Sequence, residues 1–201
     1  TNWELLITDD FSTDDTVNVA IKNGVDYVVK NLKNRGLAKT FSTGIDTALN
    51  LGADIIVNTD GDNQYKGRFV SDLVRPIIEK QAEIVIGSRP IEEIDDFSWI
   101  KKRLQRFGSF MVSKFAGVSV PDTTSGFRAY SRKAAMSLAV VSSFTYTLET
   151  IIQAGRRRIP ITSVPIKTNK KTRESRLFKN STKYVIQSMF SMLLVSTQLR
   201  P

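Results

Sequence analysis

Asp54-Ile55-Ile56-Val57-Asn58-Thr59-Asp60-Gly61-Asp62-Asn63-Gln64 is a short apolar run that stops at two carboxylates. Its length and its boundary of Asn, Asp and Gly predict a buried strand over Asp54–Asn58, followed by a loop. Working outward, a helix is predicted at Leu37–Leu51 before it, and a helix at Arg68–Glu79 and a strand at Glu83–Gly87 after it. Nearer the start, Trp3-Glu4-Leu5-Leu6-Ile7-Thr8 reads as a strand ending in Asp9-Asp10. Ser12 or Thr13 is placed to cap a helix beginning in Asp14-Asp15-Thr16 and stopping at Asn23-Gly24, with a strand at Asp26–Val29 next. Apolar strands separated by helices predict an α/β fold: a Rossmann-like, mostly parallel twisted sheet flanked by helices.

The rhythm changes after residue 90. A helix is expected over 98–116, where Trp99, Ile100, Leu104, Phe107, Met111 and Phe115 alternate with Lys101, Lys102, Arg103, Arg106 and Lys114. Phe127–Tyr130 reads as a strand, and Arg132–Val140 and Thr147–Ala154 as helices. Ile159–Ile166, with Pro160 and Pro165, suits an edge strand, where a missing N–H costs least. A polar, basic loop at 167–181 and an amphipathic helix at 182–199 complete the chain. The organisation expected is one domain over 1–166 and a basic, membrane-proximal segment over 167–201.

The 201 residues contain no Cys and no His. Thiol catalysis, zinc ribbons, a Ser-His-Asp triad and imidazole acid–base chemistry are therefore excluded. A bound metal would have oxygen ligands, which points to Mg²⁺, Mn²⁺ or Ca²⁺. The net charge of +9 is unevenly placed: residues 1–100 hold ten Lys/Arg and seventeen Asp/Glu, whereas 156–183 hold ten basic residues against Glu174 alone. That asymmetry fits a polyanionic partner at the basic end or a solvated basic face. Thr1-Asn2-Trp3-Glu4 is not the start of a secretory signal, and no apolar stretch of about 18 residues spans a membrane.

In open α/β sheets, ligands bind beyond the carboxyl ends of the strands. Asp9-Asp10 and Asp60-Gly61-Asp62 both fall at such ends. Two carboxylates separated by Gly61 bring hard oxygen ligands to one point and let the backbone approach a bulky anion, although Asp, Gly and Asn together also make an ordinary solvated turn.

Six stretches in order resemble the inverting family 2 glycosyltransferases of the GT-A fold, particularly the polyprenol-phosphate sugar synthases such as dolichol-phosphate mannose synthases. They are Leu6–Thr16; Asn34-Arg35-Gly36-Leu37-Ala38 with Gly44 and Ala48; Asp60–Gln64; Gly87-Ser88-Arg89; Asp122-Thr123-Thr124-Ser125-Gly126-Phe127-Arg128-Ala129-Tyr130; and Val164-Pro165-Ile166 followed by Arg173-Glu174-Ser175-Arg176. The resemblance implies that Asp9, Asp10, Asn34 and Gly36 face the nucleotide. It implies that Asp60 and Asp62, with Gln64, hold Mg²⁺ or Mn²⁺ and the diphosphate. Arg89, Arg103, Arg128 and Arg173 or Arg176 would gather at the acceptor phosphate, with Asp122, Ser125 and Arg128 shaping the sugar side. A further strand ahead of Thr1 is also implied, so a longer natural protein is expected.

The activity implied is metal-dependent inverting transfer from a nucleotide-sugar donor to a polyprenyl phosphate, with Asp60, Asp62 and Asp122 as catalytic residues. A phosphate acceptor is already an anionic nucleophile, so a histidine-free site suffices. A sugar hydroxyl would instead need a base, for which Asp122 and Glu149 are candidates. The partners expected are the donor, the acceptor and an anionic membrane, with no nucleic acid, at the cytoplasmic face. The competing readings are a sugar nucleotidyltransferase, a phosphatase attacking through Asp60, and a phospho-receiver module with Ser88 at a strand end.

Overall fold

The structure, a computed structural model, describes residues 3–90, 99–141 and 145–169. The first half alternates strand and helix: β1 (Leu6–Asp9), α1 (Thr16–Lys22), β2 (Tyr27–Lys30), α2 (Leu37–Asn50) and β3 (Ile55–Asn58). A 3₁₀ turn at Gly67–Phe69 leads into α3 (Val70–Ile78) and β4 (Ile84–Ser88). Then come α4 (Trp99–Ala116), β5 (Arg128–Ser131), α5 (Arg132–Ser137), α6 (Tyr146–Arg156) and β6 (Ile161–Pro165). The α/β class expected from the sequence is the one observed. The basic tail from residue 170 onward, including Arg173, Arg176 and the expected 182–199 helix, lies outside the described residues.

The described strands form two sheets, a parallel pair and a mixed sheet of four, where one mostly parallel sheet was expected. β1 and β2 pair in parallel, and the other four strands lie in the order β3-β5-β4-β6. β4 and β6 are parallel, but β5 runs antiparallel to both of its neighbours. This reversal follows from where β5 starts: Arg128 pairs with Asn58, and Gly87 donates to the Phe127 carbonyl, so β5 begins where β3 and β4 end. Its leading loop, Asp122–Gly126, is thereby delivered to the carboxyl edge of the sheet. β6 closes one edge of the four strands, which is where its Pro165 is tolerated.

α2 joins the two sheets. Its Phe41 and Ile45 enter the core with Ile84, Ile86, Tyr130, Tyr146 and Ile152, while its Gly44 lies against Thr8 of β1. A second core under α3 gathers Tyr65, Leu73, Ile77, Val85 and Phe127.

Two helix ends differ from expectation. α1 begins at Thr16 with Asp15 at the N-cap and no side-chain cap; Ser12 is instead held by its backbone N–H donating to the Asp9 carboxylate at 3.1 Å. α5 stops at Ser137 rather than Val140. The next backbone groups find partners in α6 side chains, the Ala139 N–H donating to Gln153 Oε1 (3.1 Å) and the Val141 N–H to Glu149 Oε1 (2.8 Å). Local propensity favoured more helix, and these two acceptors decide otherwise.

α4 lies against α6 at backbone distance. A Cβ placed on Gly155 would stand 1.9 Å from the Ala116 carbonyl oxygen. Gly155→Ala is expected to force the helices apart and to lower stability by about 1–3 kcal/mol, as overpacking does. Urea unfolding checks this, and an unchanged midpoint would contradict the close approach.

Candidate active site

The site is assembled where β3 ends and β5 begins. Asn58, the last residue of β3, donates through Nδ2 to the Gly126 carbonyl and to Tyr146 Oη, both at 2.8 Å. The Gly126 N–H donates to Tyr65 Oη at 3.3 Å. Asp60 packs directly on this joint: a Cβ on Gly126 would lie 3.1 Å from each Asp60 carboxylate oxygen and 2.9 Å from Tyr146 Oη. Glycine is thus required at 126 by close approach, and the Asp60 carboxylate occupies the space a side chain would fill.

That placement is electrostatically costly without a counter-charge. Burial raises the Asp60 pKa, and the neighbouring Asp62 raises it further; Arg89 and Arg128 offset only part of this. Burial and Asp60 likewise push the Tyr146 phenol well above its ordinary value. A buried carboxylate beside a second carboxylate is stabilised by a bound cation.

The loop carrying these acids is held by a residue 106 positions further along the chain. Asp62 accepts the Gln64 N–H at 3.0 Å. Asn63 adopts a left-handed φ of 58°, a conformation Asn tolerates better than most residues. Asn169 clasps the loop from outside, its N–H donating to the Gln64 carbonyl and its Nδ2 to the Asn63 carbonyl, both at 2.8 Å, while Thr168 bridges to Tyr65.

Arg89 and Asp122, expected in separate roles, are one buried ion pair. Arg89 Nε and Nη2 reach the Asp122 carboxylate at 2.6 and 3.0 Å, and Nη2 also donates to Thr124 Oγ1. Burial by itself would raise the Asp122 pKa, but the Arg89 charge and the hydrogen bonds from Arg89 and Thr124 hold it below the usual carboxylate range. Asp122 is therefore a weak base at neutral pH.

Arg128, also expected at the acceptor, is spent on protein groups among the described residues. Its guanidinium is fully buried and donates to the carbonyls of Thr123, Ser125 and Thr147 and to Thr150 Oγ1, at 2.8 to 2.9 Å. It ties the Thr123–Ser125 turn to α6 and puts positive charge below Asp60. Glu149 is buried too, accepting from Val141 N–H and Gln153 Nε2, so that it clasps the stretch after α5 to α6. Arg103 is exposed on α4 with its guanidinium over the Trp99 ring, whereas Ser109 on the buried side of that helix bonds Thr123.

The expected donor residues form a second cluster at the end of β1. Asp10 accepts the N–H groups of Arg35 and Gly36, each at 2.8 Å, and Nδ2 of Asn31 at 2.9 Å. Burial opposes ionisation of Asp10, yet these donors bring its pKa below the ordinary value. Asn34 donates to the Asp10 carbonyl. Asp9, the other acid of the pair, is buried and accepts the Ser12 N–H. Phe41, one turn into α2, stacks on Tyr146 at 3.9 Å and links this cluster to the floor under Asp60.

Sequence reasoning missed Asn58, Tyr65, Tyr146 and Asn169. Asn58 and Tyr65 flank the Asp60–Gln64 stretch and were open to notice as polar groups at a strand end. Tyr146 falls just ahead of the helix expected from Thr147 and opens α6 in the structure. Asn169 carries no local signal, since its partner Asn63 is distant in sequence.

Comparison with known proteins places this geometry in a family. Residues 1–138 match the family described as glycosyl transferase family 2. The chain is 34% identical over 170 residues to the uncharacterized protein MJ1222 of Methanocaldococcus jannaschii, covering 82% of this chain and 69% of that one. It is 33% identical over 146 residues to the UDP-N-acetylglucosamine–dolichyl-phosphate N-acetylglucosaminyltransferase of Methanococcus voltae, covering 70% of this chain and 58% of that one. Among solved structures, glucosyl-3-phosphoglycerate synthase of Mycobacterium tuberculosis, in complex with Mn²⁺, UDP and glucosyl-3-phosphoglycerate, superposes with a TM-score of 0.71 at 18% identity, covering 98% of this chain and 70% of that one. At that identity the likeness concerns the fold.

The ion pair carries its own prediction. Because the folded-state pKa of Asp122 is depressed, its stabilisation is fully present above the unfolded value of about 3.9 and is lost as pH falls through the lower folded value. Asp122→Asn leaves Arg89 buried without its partner and should cost about 3–5 kcal/mol at neutral pH. It should also flatten the acid limb of stability against pH, and an acid limb identical to wild type would refute the pairing.

Proposed function

The chain belongs to glycosyl transferase family 2, and we propose that it transfers a sugar, with inversion and with a divalent metal, from a nucleotide-diphosphate donor to a polyprenyl phosphate. The observation that carries this is the state of the two candidate bases. Asp122 is neutralised by Arg89 and Glu149 is buried in a loop clasp. A hydroxyl acceptor needs a base that these residues do not supply, whereas a phosphate monoester is an anion before it arrives. The dolichyl-phosphate transferase relative supports the same acceptor class.

Asp60 and Asp62 would hold the metal, with Gln64 beside them. Among the described residues no group of three His, Cys, Asp or Glu forms an all-protein cage. Two carboxylates on one loop suit Mg²⁺ or Mn²⁺ that keeps waters and substrate oxygens in its shell. When bound, such a cation neutralises the departing diphosphate. The protein's own part is positional. Asp10 fixes the Asn34–Gly36 loop at the head of α2 against the nucleotide, Gly126 seats Asp60, and Arg128 rigidifies the Thr123–Ser125 turn below the transferred sugar. Arg89, held by Asp122, presents fixed positive charge toward the incoming phosphate, joined in this proposal by Arg103 and by Arg173 or Arg176.

Residues 1–166 would form the catalytic domain and 167–201 a basic, membrane-proximal segment, working at the cytoplasmic face of a membrane. The anionic lipid surface is the expected partner of the ten basic residues in 156–183. Membership of the family leaves no role for the receiver, phosphatase and nucleotidyltransferase readings.

The test is nucleoside diphosphate release from a panel of nucleotide sugars with Mg²⁺ or Mn²⁺, offering short polyprenyl phosphates against free sugars. Turnover is expected with the phosphates alone, falling by at least about a hundredfold in Asp62→Ala, the scale of losing one transition-state electrostatic contact. Full activity in that variant, or preference for sugar hydroxyls, would overturn the reading.

A further inference from the structure

The two carboxylates of the loop after β3 are supported differently. Asp60 rests on Gly126, inside the joint fastened by Asn58 and Tyr146. Asp62 lies further out, past Gly61, where an added Cβ would meet nothing within 4 Å. Packing at Gly61 therefore does not carry the fixed position of Asp60 along to Asp62. Asp62 instead makes a short turn, accepting the Gln64 N–H across Asn63, and Asn63 is the residue with the left-handed φ of 58°. An L residue holds that conformation at a cost, which Asn reduces and does not abolish.

Asn169 meets this turn with backbone and side chain alike. Its N–H donates to the Gln64 carbonyl and its Nδ2 to the Asn63 carbonyl, both at 2.8 Å, with Asn63 Oδ1 3.4 Å from the same Nδ2. The chain that delivers it is tied down on the way. The Ile166 N–H donates to the Ser88 carbonyl at 2.9 Å, Thr168 bridges in antiparallel sense to Tyr65, and Tyr65 stacks on Phe127. Residues 166–169 thus form a strap from the end of β4, next to Arg89, to the outer side of the Asp62 turn. The strap is already secured by backbone contacts at Ile166, Thr168 and Asn169, so the Nδ2 bond is spent on the turn itself.

We propose that Asn169 is a positioning residue for the cation: through the Asn63 carbonyl it holds the turn that aims Asp62 at the metal. This rests on the reading of Asp60 and Asp62 as the cation site, and adds what sets the second of them. Asn169 does for Asp62 what Gly126 does for Asp60. A loop shaped before the cation arrives does not have to be ordered as it binds, and such ordering is part of what binding costs. Because Ile166 is bonded at Ser88, the same strap ties the metal loop to the strand that leads into Arg89, keeping the two at one spacing.

The experiment compares wild type with Asn169→Ala, which removes Nδ2 and leaves the backbone contacts of the strap in place. Mn²⁺ affinity is read by electron paramagnetic resonance with and without UDP, and UDP affinity is read separately without a cation. Asn169→Ala should bind Mn²⁺ about fivefold more weakly, the scale of one hydrogen bond. Its metal-free UDP affinity should equal that of wild type, because Asp10 and the Asn34–Gly36 loop are untouched. A second measurement needs no variant: hydrogen exchange by mass spectrometry on wild-type peptides that contain Asn169. Since coupling is reciprocal, Mn²⁺ with UDP should slow exchange there as well as at Asp60–Gln64. Wild-type Mn²⁺ affinity in a folded Asn169→Ala overturns the proposal. So does a loss shared equally with metal-free UDP, which makes Asn169 a general fold contact, or exchange around Asn169 indifferent to the cation. Should Asn169→Ala not fold, the exchange measurement decides by itself. Wild type that binds no Mn²⁺ sinks the cation site and this proposal with it, whereas equal binding by wild type and variant sinks this proposal alone.

Discussion

The carboxylate of Asp60 resting on Gly126 is the contact around which the rest is arranged. It exists because β5 runs antiparallel between β3 and β4, so that the chain re-enters the sheet at the edge where β3 has just ended. Asn58, Tyr65 and Tyr146 fasten that joint with hydrogen bonds, and Phe41 stacked on Tyr146 carries the rigidity into α2. The site is therefore held by packed core aromatics rather than by loops alone. A cation bound beside Asp60 would meet a carboxylate already fixed in place.

Buried charge elsewhere in the molecule follows the same logic. Arg128 and Arg89 are both inside the protein, but they are satisfied differently. Arg128 is satisfied by carbonyls and a hydroxyl and joins the 123–125 turn to α6, while Arg89 is satisfied by a carboxylate. The two positive charges lie near Asp60 and moderate its repulsion from Asp62. Acidic groups thus gather on the loop after β3, and cations sit behind it and on α4.

Much of this was legible beforehand. Apolar runs such as Ile55–Val57 and Ile84–Ile86 are short, β-branched and bounded by turn residues, so their strands emerge within a residue or two of expectation. Asp60-Gly61-Asp62 is a local pattern and was visible as such. What stayed hidden depended on partners distant in sequence. Asp122 and Arg89 looked like two independent functional groups because nothing local says they meet. Arg128 sits in a stretch that resembles a substrate-binding one, yet its surroundings are backbone carbonyls that only the fold supplies. The antiparallel sense of β5 is likewise absent from its own four residues, which read as any buried strand would. The end of α5 was misjudged because Gln153 and Glu149, a helix away, offer acceptors that local propensity ignores.

The central claim is that Asp60 and Asp62 together form a divalent cation site completed by the diphosphate of the donor. Electron paramagnetic resonance of Mn²⁺, titrated with the protein and a nucleoside diphosphate, tests it most directly. The account predicts one Mn²⁺ bound per chain, tightened by the nucleotide and lost in Asp60→Asn with the fold intact. Undiminished Mn²⁺ binding in that variant, or binding indifferent to the diphosphate, would contradict it.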